Sequence, residues 1–209
     1  MIHIITEDNR HLFRHALMEM HRHRKSVFID RMRWGLEAPQ GLEIDQFDAA
    51  DAVYLVETAA HDGAVTGSVR LLPTARAHLM SEVFAHLCVT GVPRGARIWE
   101  VSRFCPAPQI AKGAPRQALL ARMIAGIMET GLLFGMERVT FVAGAALAPL
   151  AMAIGWDAAP LGPTMRMGRE RVRAITAAIT PEGLNAVRAR NSLTGPMTRF
   201  AAAVLPAAA

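Results

Sequence analysis

A chain of 209 residues that is 52% hydrophobic and 20% charged is long enough for one core and about one domain, and too apolar for disorder. No apolar run approaches the ~20 residues of a membrane helix, and the first fourteen residues lack the apolar stretch of a signal peptide, so a cytoplasmic protein that does not enter membranes is expected. The net charge of +5 is carried almost wholly by dispersed arginines, with Lys25 and Lys112 the only lysines, and no stripe of arginines and aromatics points to nucleic acid.

In chain order, Leu12 to Val27 reads as an amphipathic helix burying Leu17, Met20 and Val27. Pro39 and Gly41 mark a loop that runs to Asp48. Val53–Ala59 and Ala64–Leu72 read as two strands joined at Asp62-Gly63, and Pro73 ends the second. Ser81 to Leu87 reads as a short helix with Ser81 as its cap. Arg97–Phe104 is the next strand. Pro115–Phe134 is the clearest helix, with Leu119, Met123, Ile127 and Met128 at helical spacing and Gly135 at its end. Val139–Ala143 is a short apolar strand, Ala146–Ile154 a helix, and Trp156–Met167 one or two late strands. Arg169–Ile179 and Pro181–Arg190 are read as helices. The segment 200–209 is expected to fray. Residues 1–209 form a single domain in this reading. The order of elements predicts an α/β class: a three-layer α/β/α sandwich, acetyltransferase-like, around a mixed, splayed sheet.

Cys88 and Cys105 are too few for a disulfide framework and read as small core residues. No histidine has an acid or cysteine cluster at metal-ligand spacing, so neither a metal nor a cofactor is expected. The chemistry concentrates in Trp99-Glu100-Val101-Ser102-Arg103-Phe104, where an acid and a base sit in a strand that otherwise reads as buried. In a regular strand Glu100 and Arg103 point to opposite faces; a bulge between them changes that. Arg24, Arg70 and Arg103 balance Asp45, Asp48 and Glu100. One reading makes the six an ion-pair network that pins the N-terminal segment to the sheet. The other makes them a site for a substrate with an amine, a carboxylate and a sulfonium, since aromatic faces attract cations and a carboxylate can take a proton from an attacking amine.

Arg24, Phe28, Trp34, the element Glu43-Ile44-Asp45-Gln46-Phe47-Asp48, Arg70-Leu71-Leu72-Pro73-Thr74 and Trp99 to Phe104 follow one another as in the acyl-homoserine lactone synthases, and over about residues 1–170 the chain resembles that family. The resemblance implies a quorum-sensing enzyme. The amine of S-adenosylmethionine attacks an acyl thioester, and the methionine carboxylate then closes a lactone and releases methylthioadenosine. It implies that residues 1–50 form the S-adenosylmethionine-binding segment. It makes Arg24, Phe28, Trp34, Asp45, Asp48 and Phe104 residues of the S-adenosylmethionine pocket, with Asp45 rather than Asp48 the direct contact of the two aspartates. It makes Glu100 the general base and Arg70 and Arg103 orienting groups. S-adenosylmethionine is a substrate here, and the second substrate is an acyl carrier protein (acyl-ACP) or acyl-coenzyme A (acyl-CoA) donor.

Two features depart from the pattern. Ala143 stands where relatives that make 3-oxo products carry a threonine, which implies an unsubstituted, branched or aromatic acyl group. The helix Ala146–Ile154 has no basic residue for an acidic carrier protein, whereas Arg116, Arg122 and Arg138, or Arg166 to Arg173, offer a patch elsewhere. Met123, Ile127, Phe141, Ala143, Leu147, Leu150 and Met152 are the candidate acyl-chain pocket. The rival reading is a generic CoA-dependent N-acyltransferase of the same superfamily, but Gln109 to Ala114 lacks its phosphate-loop spacing. A non-catalytic ligand-binding relative is the other alternative.

Overall fold

The computed structural model describes residues 1–168 and 170–201, so what the sequence predicts for Arg169 and for most of the tail falls outside the described residues. Strand β1 (Ile2–Ile5) leads through a 3-10 turn, Glu7–Phe13, into helix α1 (Arg14–Arg24), which continues as a wider π-helical segment, Lys25–Arg31. The helix is thus longer than the sequence pattern predicts, and the wide turn carries Phe28. Strands β2 (Val53–Thr58) and β3 (Val65–Pro73) form the expected hairpin. Helix α2 (Leu79–Glu82) follows, and its cap is His78 rather than Ser81. Ser81 occupies the third helical position and accepts the His78 backbone N–H at 3.1 Å.

Strand β4 (Ile98–Pro106), helix α3 (Ala114–Leu133), strand β5 (Arg138–Gly144) and helix α4 (Ala148–Met152) come next. Strands β6 (Ala158–Pro160) and β7 (Met165–Met167) match the late-strand expectation. Strand β8 (Glu170–Ala178) corrects the helix read at Arg169–Ile179, whereas helix α5 (Pro181–Arg190) stands as read. The alanines of β8 favour a helix locally, but the strand pairs with β5, β6 and β7, and those contacts override propensity. Strands β1 and β9 (Thr198–Phe200) were not read from the sequence.

The sheet runs β6-β8-β5-β4-β3-β2-β1-β9, with β7 also on β8. It is mixed: β4–β5 and β1–β9 are parallel and the other pairs antiparallel. One face packs on α3 and α5 in the main core, with Leu119, Met123, Ile127, Val139 and Ile175 buried there. The opposite face carries α1 over β1–β3, and α2 with its following turn over β8. The expected three-layer sandwich is present. Strands β4 and β5 pair only from Ile98↔Arg138 to Val101↔Phe141. Beyond that both continue unpaired with one another, so the sheet splays. Among the described residues no helix is long and apolar enough to cross a membrane.

Tight backbone packing brings the β6–β7 connection against the turn after α2. A Cβ on Gly162 would lie 2.2 Å from the Leu87 carbonyl oxygen, whereas Gly35 has open space around it. Gly162→Ala is expected to lower stability by about 2 kcal/mol and Gly35→Ala to leave it nearly unchanged, as read by thermal unfolding.

Candidate active site

Three arginines from three elements converge on one loop. Arg24 ends α1, Arg70 lies in β3 and Arg103 in β4, and the loop residues Glu43, Asp45 and Asp48 lie between them. Arg24 donates through Nε to Glu43 and through both terminal nitrogens to Asp48, each at 2.8 Å. Arg103 bonds Glu43 at 3.0 Å and Asp45 at 2.6 Å. Arg70 bonds Asp45 at 2.6 Å and lies 2.9 Å from Asp48. The six therefore form a closed ring of alternating charge: Arg24, Glu43, Arg103, Asp45, Arg70, Asp48 and back to Arg24.

Further bonds fix the ring. The Tyr54 hydroxyl donates to Asp48 at 2.9 Å, the Asp45 backbone N–H donates to Asp48 at 2.8 Å, and Arg70 donates to Ser102 at 3.1 Å. Burial works against the charge of Asp48, but the bidentate Arg24 guanidinium holds its carboxyl far below the usual carboxylate range.

The ring requires Arg103 to leave its strand on the same side as Arg70, and a bulge achieves this. Ser68 pairs with Cys105 and Arg70 with Ser102, so Arg103 and Phe104 together oppose Val69. Arg103 takes the left-handed conformation, φ 56°. Phe104 turns to the other face and packs half-buried on the main core, away from the ring. Arg33 is also left-handed, φ 61°. It doubles the chain back so that the Trp34 N–H reaches the Phe28 carbonyl at 2.9 Å. The Phe28 and Trp34 rings then stack with centroids 4.7 Å apart, and the Arg103 guanidinium carbon lies 5.6 and 5.8 Å from them.

Glu100 stands outside the ring; Glu43 takes the place assigned to it by charge balance. Glu100 is 1% exposed. One carboxylate oxygen accepts the Met80 N–H at 2.9 Å, and the other is buried without a partner. Burial pushes its carboxyl up to about 7, against the opposing pull of the Met80 N–H and the Arg70 charge. Across β4–β5 it pairs with Thr140, whose hydroxyl is also buried and unpartnered. Glu43 and Thr140 are the residues that the sequence reading passed over. Glu43 lay within the motif, but the place of Thr140 needs the strand register.

The candidate acyl-pocket residues separate. Ala143 and Met152 line a cavity of about 520 Å3 between β5, α4 and β8, together with Ala148, Thr164, Arg171 and Arg173. Met123 and Ile127 are packed in the main core, Leu147 lies half-buried against it, and Phe141 stacks on Trp156 with centroids 5.6 Å apart. Leu150 faces a smaller hollow of about 190 Å3 between α3, α4 and α5. The larger cavity is on the α3/α4 face and Glu100 is on the other. Between them lies the sheet, whose strands β4 and β5 stop pairing beyond Val101 and Phe141. Among the described residues no group of three or more His, Cys, Asp and Glu side chains is arranged to hold a metal.

This architecture defines an acyltransferase-type sandwich with an acid placed beside an opened strand pair. Comparison with known proteins gives the family: the model of the autoinducer synthase family matches residues 8–187, and the chain belongs to that family. It is 34% identical over 163 residues to an acyl-homoserine-lactone synthase of Rhizobium etli, covering 77% of this chain and 76% of the other. It is 35% identical over 164 residues to the isovaleryl-homoserine lactone synthase of Bradyrhizobium diazoefficiens, covering 78% and 72%. The solved structure of a CoA-dependent acyl-homoserine lactone synthase, BjaI, with SAM and isopentyl-CoA, superposes with a TM-score of 0.87 at 31% identity, covering 98% of this chain and 95% of that one.

The two kinds of buried acid have opposite pH signatures. Asp48 stabilises the fold above the ordinary carboxylate range, and that contribution is lost as pH falls below it. Asp48→Asn leaves Arg24 and Arg70 short of a buried counter-charge and should cost about 3–5 kcal/mol at neutral pH, a deficit that shrinks in acid. Glu100 costs stability as pH rises from its ordinary value to about 7. Glu100→Gln should therefore gain on the unsubstituted protein across that interval, by about 3 kcal/mol. Urea unfolding of both variants between pH 3 and 8 checks the two signs.

Proposed function

We propose that the protein makes an acyl-homoserine lactone from S-adenosylmethionine and an acyl-CoA, with Glu100 as the general base. The observation that carries this reading is the buried Glu100 carboxyl, which has one free oxygen and a proton affinity raised to about 7. Such a group can take the proton of an attacking amine at neutral pH. S-adenosylmethionine lies on the ring side of the sheet. Its sulfonium is attracted to the Phe28–Trp34 pair, and its amine is held by Asp45, whose side chain is 17% exposed and the most accessible of the three ring acids.

Arg24 is 1% exposed, and its nitrogens are committed to Glu43 and Asp48. It acts by holding those acids rather than by touching the substrate. Arg70 and Arg103 fix Asp45 in the same way. Phe104, on the core side, supports the bulge instead of contacting S-adenosylmethionine.

The thioester reaches Glu100 through the gap between β4 and β5. There, backbone N–H groups released from strand pairing can hold the developing oxyanion. Proton removal lets the amine nitrogen attack the thioester carbon. Collapse of the tetrahedral intermediate expels the CoA thiolate, which takes up a proton. The methionine carboxylate then attacks its own γ-carbon, breaking the carbon–sulfur bond and releasing methylthioadenosine as the lactone ring closes. An acyl-CoA donor is favoured over a carrier protein because no basic residue lies between Ala146 and Ile154, and because the superposed BjaI structure holds an acyl-CoA. Ala143 in the cavity wall offers no hydroxyl to a 3-oxo group, which favours an unsubstituted or branched acyl chain. A cytoplasmic location follows from the two substrates.

Methylthioadenosine release from purified protein, with S-adenosylmethionine and a panel of acyl-CoA and acyl-carrier thioesters, tests the reading. Wild type is expected to turn over with acyl-CoA, with kcat/KM rising through about pH 7. Glu100→Gln is expected to lose at least about a thousandfold in kcat while remaining folded. Near-normal turnover by that variant would remove Glu100 as the base. Mass spectrometry of the product gives the acyl group.

A further inference from the structure

One face of β7 and β8 carries three arginines that no described carboxylate neutralises. Arg166 and Arg171 are direct partners across the two strands. Arg173, two residues further along, shares their face and pairs with Ala143 of β5. Like charges directly opposite in a sheet are destabilising. The side chain of Arg166 donates only to the Gly168 carbonyl, at 3.1 Å. Among the described residues Arg171 and Arg173 make no side-chain bond, and Nε of Arg173 is buried without a partner. The adjacent acid, Glu170, alternates to the opposite face, where it lies 3.5 Å from Nε1 of Trp34. Arg171 and Arg173 line the cavity of about 520 Å3, whose other walls are the uncharged residues Ala143, Ala148, Pro149 and Met152.

A charged half facing an uncharged half suits a ligand with an anionic end and an apolar arm. We propose that Arg166, Arg171 and Arg173 form an anion site that takes the diphosphate of the CoA donor and feeds its thioester arm into the gap between β4 and β5. Three guanidinium forks match the several oxygens and charges of a diphosphate better than the single charge of a carrier-linked phosphodiester. The uncharged α4 wall provides no second set of cations for an acidic protein surface. The identity of the donor rests on the function proposed above; the anion site itself does not.

Calorimetric binding of CoA and of pantetheine, which lacks the phosphates, is the test. The double variant Arg171→Gln with Arg173→Gln is expected to weaken CoA binding by about 10- to 100-fold and to bring its affinity toward that of pantetheine. The double lysine variant, which keeps the charges without the forks, is expected to fall between the two and serves if the glutamine protein misfolds. Equal CoA affinity in variant and wild type would overturn the site. So would an equal loss for CoA and pantetheine, which would indicate altered packing, or a loss seen only with phosphopantetheinylated carrier protein, which would indicate docking of that partner. A wild type that binds CoA through these arginines yet releases no methylthioadenosine with any thioester would remove the proposed function and leave the anion site standing.

Discussion

Everything at the site hangs on the closed ring of three guanidinium groups and three carboxylates. Each acid is shared by two arginines and each arginine by two acids. Charges this deeply buried would be untenable singly, and even as pairs the loss of hydration offsets much of the attraction. The gain is in specification: α1, β3 and β4 can meet the loop at 43–48 in one arrangement that leaves no charge over. The bulge at Arg103 is the backbone cost of closing the ring, because a regular strand would send that side chain into the core.

Exclusion from the ring sets Glu100 apart from the other buried acids in its electrostatics. Asp48, inside the ring, is held ionised far below neutrality and has little basicity to offer. Glu100 sits on the same face, but a single backbone N–H and the more distant arginines compensate only part of its burial. The same low-polarity surroundings thus produce two behaviours, and direct pairing with a guanidinium, which Asp48 has and Glu100 lacks, separates them.

Much of this was legible beforehand. The two strands flanking the turn at Asp62-Gly63 and the helical period of α3 are local signals, and they were read correctly. The acids and bases of the ring were visible as motifs. Their partnership was not, since charge balance alone could not choose between Glu43 and Glu100. Strand β8 was missed because its alanine-rich end satisfies a helix as well as a strand, and its neighbours decide. Strands β1 and β9 were missed because each is short and is paired by segments remote in the chain. Thr140 could be placed beside Glu100 only through the parallel register of β4 and β5, which no periodicity reveals.

Because the ring sums to zero, it adds nothing to the net charge of +5. The excess positive field comes from arginines elsewhere, which act on ligands still in solution. Ionic strength therefore weakens the pull of those arginines on an anion and leaves the buried ring nearly untouched. The molecule keeps the charges that meet solvent apart from the charges that hold its buried loop in place, so either set can change in evolution without retuning the other.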